Sequence, residues 1–370
     1  MDENFAAGGR YTRAGPACYR CVADAPTGRL PRVRSRQVVQ PLSLVTGATG
    51  FVGSAVTRVL AARGHRLRVL ARAASDRRNL VGLDADVAIG DLNDPASLAR
   101  AVAGCRYVFH VAADYRIWVP DPQAMMAANV AGSVAILRAA QAAGVERMVY
   151  CSSVAALGVP GNGDIADETS LVIPANLVTV YKQSKYRAEQ AVLGLVRDEG
   201  IPVVIVNPAA PVGPRDIKPT PTGKMIREAA AGRMPAYLDT GLNVVHVDDV
   251  AEGHVLALER GRVGEKYILG GENFLLGDLI HLVCEVAGRR GPYVQLPTGG
   301  LWPVAMVCEA MARWFGVEPM VTRDHLRMAR KKMFYSSDKA RAELGYTPRP
   351  VREAVVDAVT WMRTNGMLRA

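Results

Sequence analysis

Val45-Thr46-Gly47-Ala48-Thr49-Gly50-Phe51-Val52-Gly53 decides how this chain is read. An apolar run over 42–45 precedes it and an amphipathic run over 55–63 follows. That is the order strand, tight turn, helix. Gly47 takes the backbone through the turn. Gly50 leaves room for a pyrophosphate against the main chain, and Gly53 lets the helix pack close to the strand. The free N–H groups and the helix dipole then face the phosphates, with Thr49, Phe51 and Val52 in the same turn. Glycine alone also serves ordinary turns. The strand–turn–helix setting is what points to a dinucleotide.

Outward from this loop the pattern alternates. Short β-rich runs stand at 43–46, 66–71, 86–89, 107–111, 147–151 and 202–206, separated by helical stretches at 51–63, 95–103, 123–143 and 181–199. This predicts βαβ units and an α/β fold, a Rossmann-type doubly wound parallel sheet. Gly64 and Gly144 each stand between a helix and a strand, as C-cap glycines do. After Pro208 the prolines 211, 214, 219 and 221 stiffen the chain, and helical runs follow at 223–232, 249–260, 276–288, 301–315 and 352–363. A smaller C-terminal substrate lobe is expected there, covering the C-terminal ends of the strands, with the ligand in the crevice. The expected organisation is a flexible basic extension at 1–40, a dinucleotide-binding domain at 41–210 and a substrate lobe at 211–370. Residues about 243–260 return to the first domain, and lid residues are expected between Val212 and Asp239. Val245 to Val250 reads as a strand entering a helix with an aspartate cap, and His246 as structural.

The 370 residues carry a net charge of +10, with 49% hydrophobic and 22% charged residues, as in soluble globular proteins. No basic stripe with aromatic partners suggests nucleic acid. Six cysteines are scattered, and Cys18-Tyr19-Arg20-Cys21 has no partners to complete a zinc site. Neither a disulfide framework nor a metal is expected, and a reducing cytoplasm is. Cys105, Cys151, Cys284 and Cys308 are expected to pack as small hydrophobes. No stretch is apolar and long enough to span a bilayer. Residues 301–315 come nearest but carry Glu309 and Arg313, so an amphipathic helix packed on the enzyme is expected, with a membrane surface as the second reading.

Tyr181 and Lys185 stand at i and i+4 and share a helix face. A free phenol has a pKa of about 10, and a nearby ammonium lowers it, so the pair can act as a tuned acid/base. Ser152 and Ser153 follow the run 147–151, where a hydroxyl can hold a reacting oxygen against Tyr181.

In this order, these elements resemble the extended short-chain dehydrogenase/reductase family over roughly 41–350. The glycine loop matches that family's cofactor turn. Ser153, Tyr181 and Lys185 match its catalytic serine and Tyr-x-x-x-Lys, and Asn129 in Asn129-Val130-Ala131-Gly132 matches its helix asparagine. Gly90-Asp91-Leu92 matches the turn that meets the adenine, and His110-Val111-Ala112-Ala113 the strand end under the cofactor. Ser152, Asn207 and Pro208 count as further cofactor contacts. The resemblance implies hydride transfer at a nicotinamide, with Tyr181 moving the proton, Lys185 lowering its pKa and binding the ribose, and Ser153 placing the oxygen. The run Val69-Leu70-Ala71-Arg72 puts a cation where NAD-selective sites often carry an acid, so NADP is expected, with NAD as the other candidate. Arg77 and Arg78 can assist.

Leu157-Gly158 stands where nucleotide-sugar enzymes carry Tyr-Gly, and Val206-Asn207-Pro208 looks more like dihydroflavonol reductases. The runs 112–116, 215–223 and 328–334 resemble bacterial hopanoid-associated sugar epimerases, which implies a hopanoid or sugar-like intermediate as substrate. Tyr115, Arg215, Lys218 and Lys224 are the candidate substrate residues. A homodimer and a peripheral membrane contact are the further associations expected. A reductase, an epimerase and a non-catalytic NADP sensor are the open classes, and Tyr181 with Lys185 counts against the sensor.

Overall fold

The computed structural model describes residues 40–116, 121–160, 163–292, 294–315 and 322–368. The basic extension expected at 1–40 and the Cys18–Cys21 pair fall, Gln40 apart, outside them. Apolar runs bounded by turns form strands, and the amphipathic runs between them form helices. In chain order the first half gives β1 (Leu42–Thr46), α1 (Phe51–Ala62), β2 (Arg66–Ala71), β3 (Asp86–Ile89), α2 (Pro95–Val102) and β4 (Tyr107–His110). Then come α3 (Pro122–Met126), α4 (Gly132–Ala142), β5 (Arg147–Cys151), α5 (Val180–Glu199) and β6 (Val203–Pro208). The second half gives β7 (Ala210–Val212), α6 (Pro221–Ala230), β8 (Ala236–Leu238), β9 (Gly241–His246), α7 (Val247–Arg260), β10 (Lys266–Leu269) and β11 (Glu272–Leu275). It ends with α8 (Leu276–Ala287), β12 (Val294–Leu296), α9 (Trp302–Phe315), α10 (Arg323–Ala329), β13 (Lys332–Met333), α11 (Asp338–Leu344) and α12 (Val351–Thr364).

Seven strands form one sheet in the order β10-β6-β5-β4-β1-β2-β3. Every pairing in it is parallel. Residues alternate between its faces. Val45, Val149 and Val204 point into a core with α1, α7 and α11, while Leu44, Met148 and Val203 point into one with α2, α4 and α5. This is the Rossmann-type α/β arrangement the sequence predicts. The strand order reverses between β1 and β4, the position at which open α/β sheets take up their ligands. A third core joins α6, α8 and α12 to Val244 of β9, which sits in a four-stranded sheet with β7, β11 and β13.

Four details differ from the sequence reading. The helix expected over 123–143 is present but carries a π-helical turn, Ala127–Ala131, between its α-helical parts α3 and α4. The cap of α7 is His246, whose ring accepts a hydrogen bond from the Asp248 N–H, and not an aspartate. Asp248 and Asp249 are instead drawn off to Arg215 and Arg349. Within the segment where lid residues are expected, the helix foreseen at 223–232 is present as α6, and the short strand β8 was not foreseen. Cys105, Cys151 and Cys284 are buried as expected, but Cys308 is half-buried.

Candidate active site

The glycine loop joins β1 to α1. Gly47 has φ +75°, and a Cβ there would lie 2.7 Å from the Ala112 nitrogen. A Cβ on Gly53 would lie 2.1 Å from the Gly47 carbonyl oxygen. Helix and strand therefore meet at a distance only glycine permits. Gly50 precedes α1, and no side chain caps that helix terminus. Its first N–H groups, with those of Phe51 and Val52 among them, are left for an outside acceptor. This cradle fits a pyrophosphate. Asn79, missed in the sequence, supports the loop by donating to the carbonyls of Thr49 (3.2 Å) and Arg215 (3.2 Å). Arg72 is exposed just past the end of β2, next to buried Ala71, and Arg77 is exposed as well. Arg78 is held by Asp76, whose carboxyl it pulls down to about 2. Asp91 lies beyond β3 and donates its N–H to Ser97, while Leu92 packs against Gly132.

A buried chain of hydrogen bonds runs under this loop. The Thr46 hydroxyl oxygen accepts the N–H groups of Val111 and Ala112, both at 3.2 Å. Its own proton then goes to His110 Nδ1, 2.7 Å away. His110 accordingly carries its proton on Nε2 and donates it to Ser133 Oγ at 2.9 Å, and Ser133 donates to the Asn129 carbonyl at 2.7 Å. Burial pushes the His110 pKa down to about 3, which fits a neutral ring. Asn129 lies in the π turn, a feature frequent at functional sites. Its amide closes on Asp114, accepting from N–H (2.7 Å) and donating to C=O (2.8 Å), and it also donates to Ser184 Oγ (2.9 Å). Asn129 thus positions the segment after β4, including Ala113, against α5.

Ser153 follows β5, and its hydroxyl accepts the Ala155 N–H at 3.1 Å. It also stands close enough to the Tyr181 phenol to draw its pKa down. Thr179 caps α5 and so sets the first turn, which bears Tyr181. Lys185, one turn further, is 3% exposed and donates from Nζ to the Cys151 carbonyl at 2.8 Å. Serine, tyrosine and lysine thus converge on the C-terminal end of β5. The expected depression of the phenol pKa is not found. Burial pushes Tyr181 up to about 12 against the pull of Ser153, while the Lys185 ammonium is spent on Cys151. Burial also lowers the Lys185 pKa, against the charge of Glu189.

Glu189 is a second residue the sequence reading missed. It is 1% exposed, and its Oε2 accepts from Ser152 (2.6 Å) and from Asn207 Nδ2 (2.7 Å). Asn207 also donates to the Ser153 carbonyl (3.0 Å). The Ser152 hydroxyl and the Asn207 amide are therefore turned into the protein, at the ends of β5 and β6, rather than toward a ligand, with Pro208 next in line. The signal was present: Tyr181, Lys185 and Glu189 recur every fourth residue on one helix face.

A cavity of about 220 Å³ lies against the loop after Ser153 and the turn carrying Lys182. Its walls are apolar (Leu157, Val159, Val172, Ile173, Leu177 and Met333) and its rim is basic (Lys182, Arg327, Arg330 and Lys331). Burial and the nearby Lys331 charge lower the Lys182 pKa. None of the four candidate substrate residues lines this cavity. Arg215 is paired with Asp248. The Tyr115 hydroxyl stands 3.5 Å from the Lys218 carbonyl, Lys218 is exposed, and Lys224 is exposed on α6.

Residues 43–270 match the model of the NAD dependent epimerase/dehydratase family. A Synechocystis protein whose name places it provisionally among the dihydroflavonol 4-reductases is 43% identical, over 88% of this chain and 95% of its own. Sterol demethylase protein B of Methylococcus capsulatus is 34% identical, over 88% and 99%. The crystal structure of gox2253 superposes with a TM-score of 0.81 at 60% identity, covering 89% of this chain and all (100%) of that one. With a glycine cradle at the switch point and serine, tyrosine and lysine at the end of β5, the chain belongs to the NAD-dependent epimerase/dehydratase family and is an NAD(P)-dependent oxidoreductase or epimerase.

Proposed function

We propose that the enzyme is an NADP-dependent oxidoreductase acting at a carbonyl or alcohol carbon of an amphipathic isoprenoid lipid of the hopanoid kind. The bound nicotinamide supplies or takes the hydride. Tyr181 holds the proton for the reacting oxygen, and Ser153 orients that oxygen from the end of β5. Lys185 holds the Cys151 carbonyl at the strand end and brings positive charge beside the site. Asn129 holds the segment between cofactor loop and α5 in register.

The cavity beside Lys182 carries the reading of substrate class. The apolar lining, which includes Val178, suits a hydrocarbon body, and the four cations suit a hydroxyl-rich or anionic head. The sterol named in the Methylococcus relative supports the same class. For the cofactor, exposed Arg72 beside Ala71 supports a ribose 2′-phosphate.

The test is turnover of a polycyclic triterpenoid ketone with a polar side chain, in parallel with UDP-glucose. Loss of the reduced-nicotinamide absorbance with the triterpenoid is expected. Isomerisation without net cofactor change would replace the reductase by an epimerase, and turnover of the nucleotide sugar alone would refute the substrate class.

A further inference from the structure

The helix α9 is built inside out. Every residue on it described as exposed is apolar: Pro303, Val304, Met306, Val307, Ala310, Met311 and Trp314. Ala305 and Ala312 fill the face packed on the protein. Its acid, Glu309, is turned inward, 18% exposed, and accepts from Arg323 N (2.7 Å) and Nε (2.8 Å). The outer stripe, Val304, Val307, Met311 and Trp314, recurs at i, i+3, i+7 and i+10 and so lies along one side. Exposures reach 59% at Val307, 53% at Met311 and 81% at Trp314. A contiguous apolar face of this kind marks something that covers it.

Charge decides what that is. Arg327 and Arg330 are exposed and stand over the Trp302 ring at one end of α9, 5.7 and 5.8 Å from its centroid. Among the described residues, neither Arg330 nor Lys331 has a carboxylate partner, and the whole chain carries +10. A second copy joined through the same face would bring two such basic rims together. The segment 1–39 is itself arginine-rich and so offers such a rim no complementary charge. An anionic bilayer answers both the apolar stripe and the basic rim. At 14 residues the helix is about 21 Å long, too short to span and suited to lying in the headgroup layer. Trp314 at its far end is the residue type that favours that layer.

We propose that α9 docks the enzyme on an anionic lipid surface, with Val304, Val307, Met311 and Trp314 buried among the acyl chains and Arg327 and Arg330 on the headgroups. The cavity rim, which shares Arg327 and Arg330, then opens beside the bilayer. The proposal stands apart from the hydride chemistry, because α9 bears none of the reacting groups.

The test is cosedimentation of the full chain with phosphatidylcholine vesicles, with and without phosphatidylglycerol. Binding only to the anionic vesicles, weakening as salt is raised, is expected. Val307→Glu and Met311→Glu, at exposed positions, should each weaken it roughly ten-fold or more with dinucleotide affinity unchanged. Arg330→Ala should lessen the preference for phosphatidylglycerol. Absence of binding, or binding that the glutamates leave intact, would overturn the proposal. So would sedimentation velocity showing a dimer that these variants split, which would give the face to a second copy. Retained dinucleotide affinity separates these results from any failure of the catalytic reading.

Discussion

At the scale of single residues, the proposed proton carrier Tyr181 gives the first test. Tyr181→Phe should lower turnover by about 10²-fold or more while dinucleotide titration is unchanged, because only the proton in flight is removed. With the phenol pushed up to about 12, the proton stays on through the neutral range. Reduction, which needs the phenol as donor, should therefore be flat with pH and fall only in strong alkali. Alcohol oxidation, which needs the phenolate, should rise steadily with pH. A rate profile in the two directions checks the sign, and a neutral inflection in both would show that the phenol pKa is depressed after all. Arg72→Ser should cost NADPH about ten-fold in affinity and leave NADH unchanged, as loss of a charge-assisted hydrogen bond to phosphate does. Serine, tyrosine and lysine were legible because their order and spacing are distinctive. Glu189 was not, because a glutamate on an amphipathic helix reads as solvated, and only the fold shows Ser152 and Asn207 closing on it.

Among the elements, six of the seven strands of the large sheet were legible almost to the residue, since period-two and period-3.6 runs alternate there, while its edge strand β10 was not expected. The short strands β7, β8, β12 and β13 were not. Each has three residues or fewer, too few to show a period, and forms only where tertiary packing brings a partner alongside. The π turn escaped for a related reason: its residues are ordinary helix formers, and the bulge that frees Asn129 arises from packing on α5. The contact of α1 with the loop offers a test on this scale. Gly53→Ala puts a methyl group 2.1 Å from the Gly47 oxygen, so helix and strand must part. The variant should lose about 1–3 kcal/mol of stability in urea unfolding and also lose dinucleotide affinity. Unchanged affinity would show that the cradle is not the phosphate site.

The whole molecule responds to acid through groups far apart in the chain. His110 and His254 are fully buried, with pKa values pushed down to about 3 and about 4 by burial. The unfolded chain takes up those protons near pH 6.5, the folded one does not, so stability falls as pH drops below that value. At pH 5 each ring costs about 2 kcal/mol. Asp216, raised to about 6 by burial, acts in the opposite sense. Its ionised form is the costly one, so lowering the pH from 6 to 5 returns about 1 kcal/mol. Urea midpoints at pH 7 and pH 5 should show a net loss, and Asp216→Asn should steepen it. A flat profile would mean that the rings are charged or exposed.

Glu189 joins α5 to the ends of β5 and β6, and its Oε1 lies 3.6 Å from Lys266 of β10. The Ser152 N–H is itself bonded to the Val206 carbonyl at 2.8 Å. The reacting end of β5 therefore has no private way to open. In deuterated buffer the Ser152 amide should exchange only as fast as the entire domain unfolds, while Glu189→Gln should bring in a faster, local route. The catalytic floor and the fold then share one lifetime, and a change that loosens the one shortens the other.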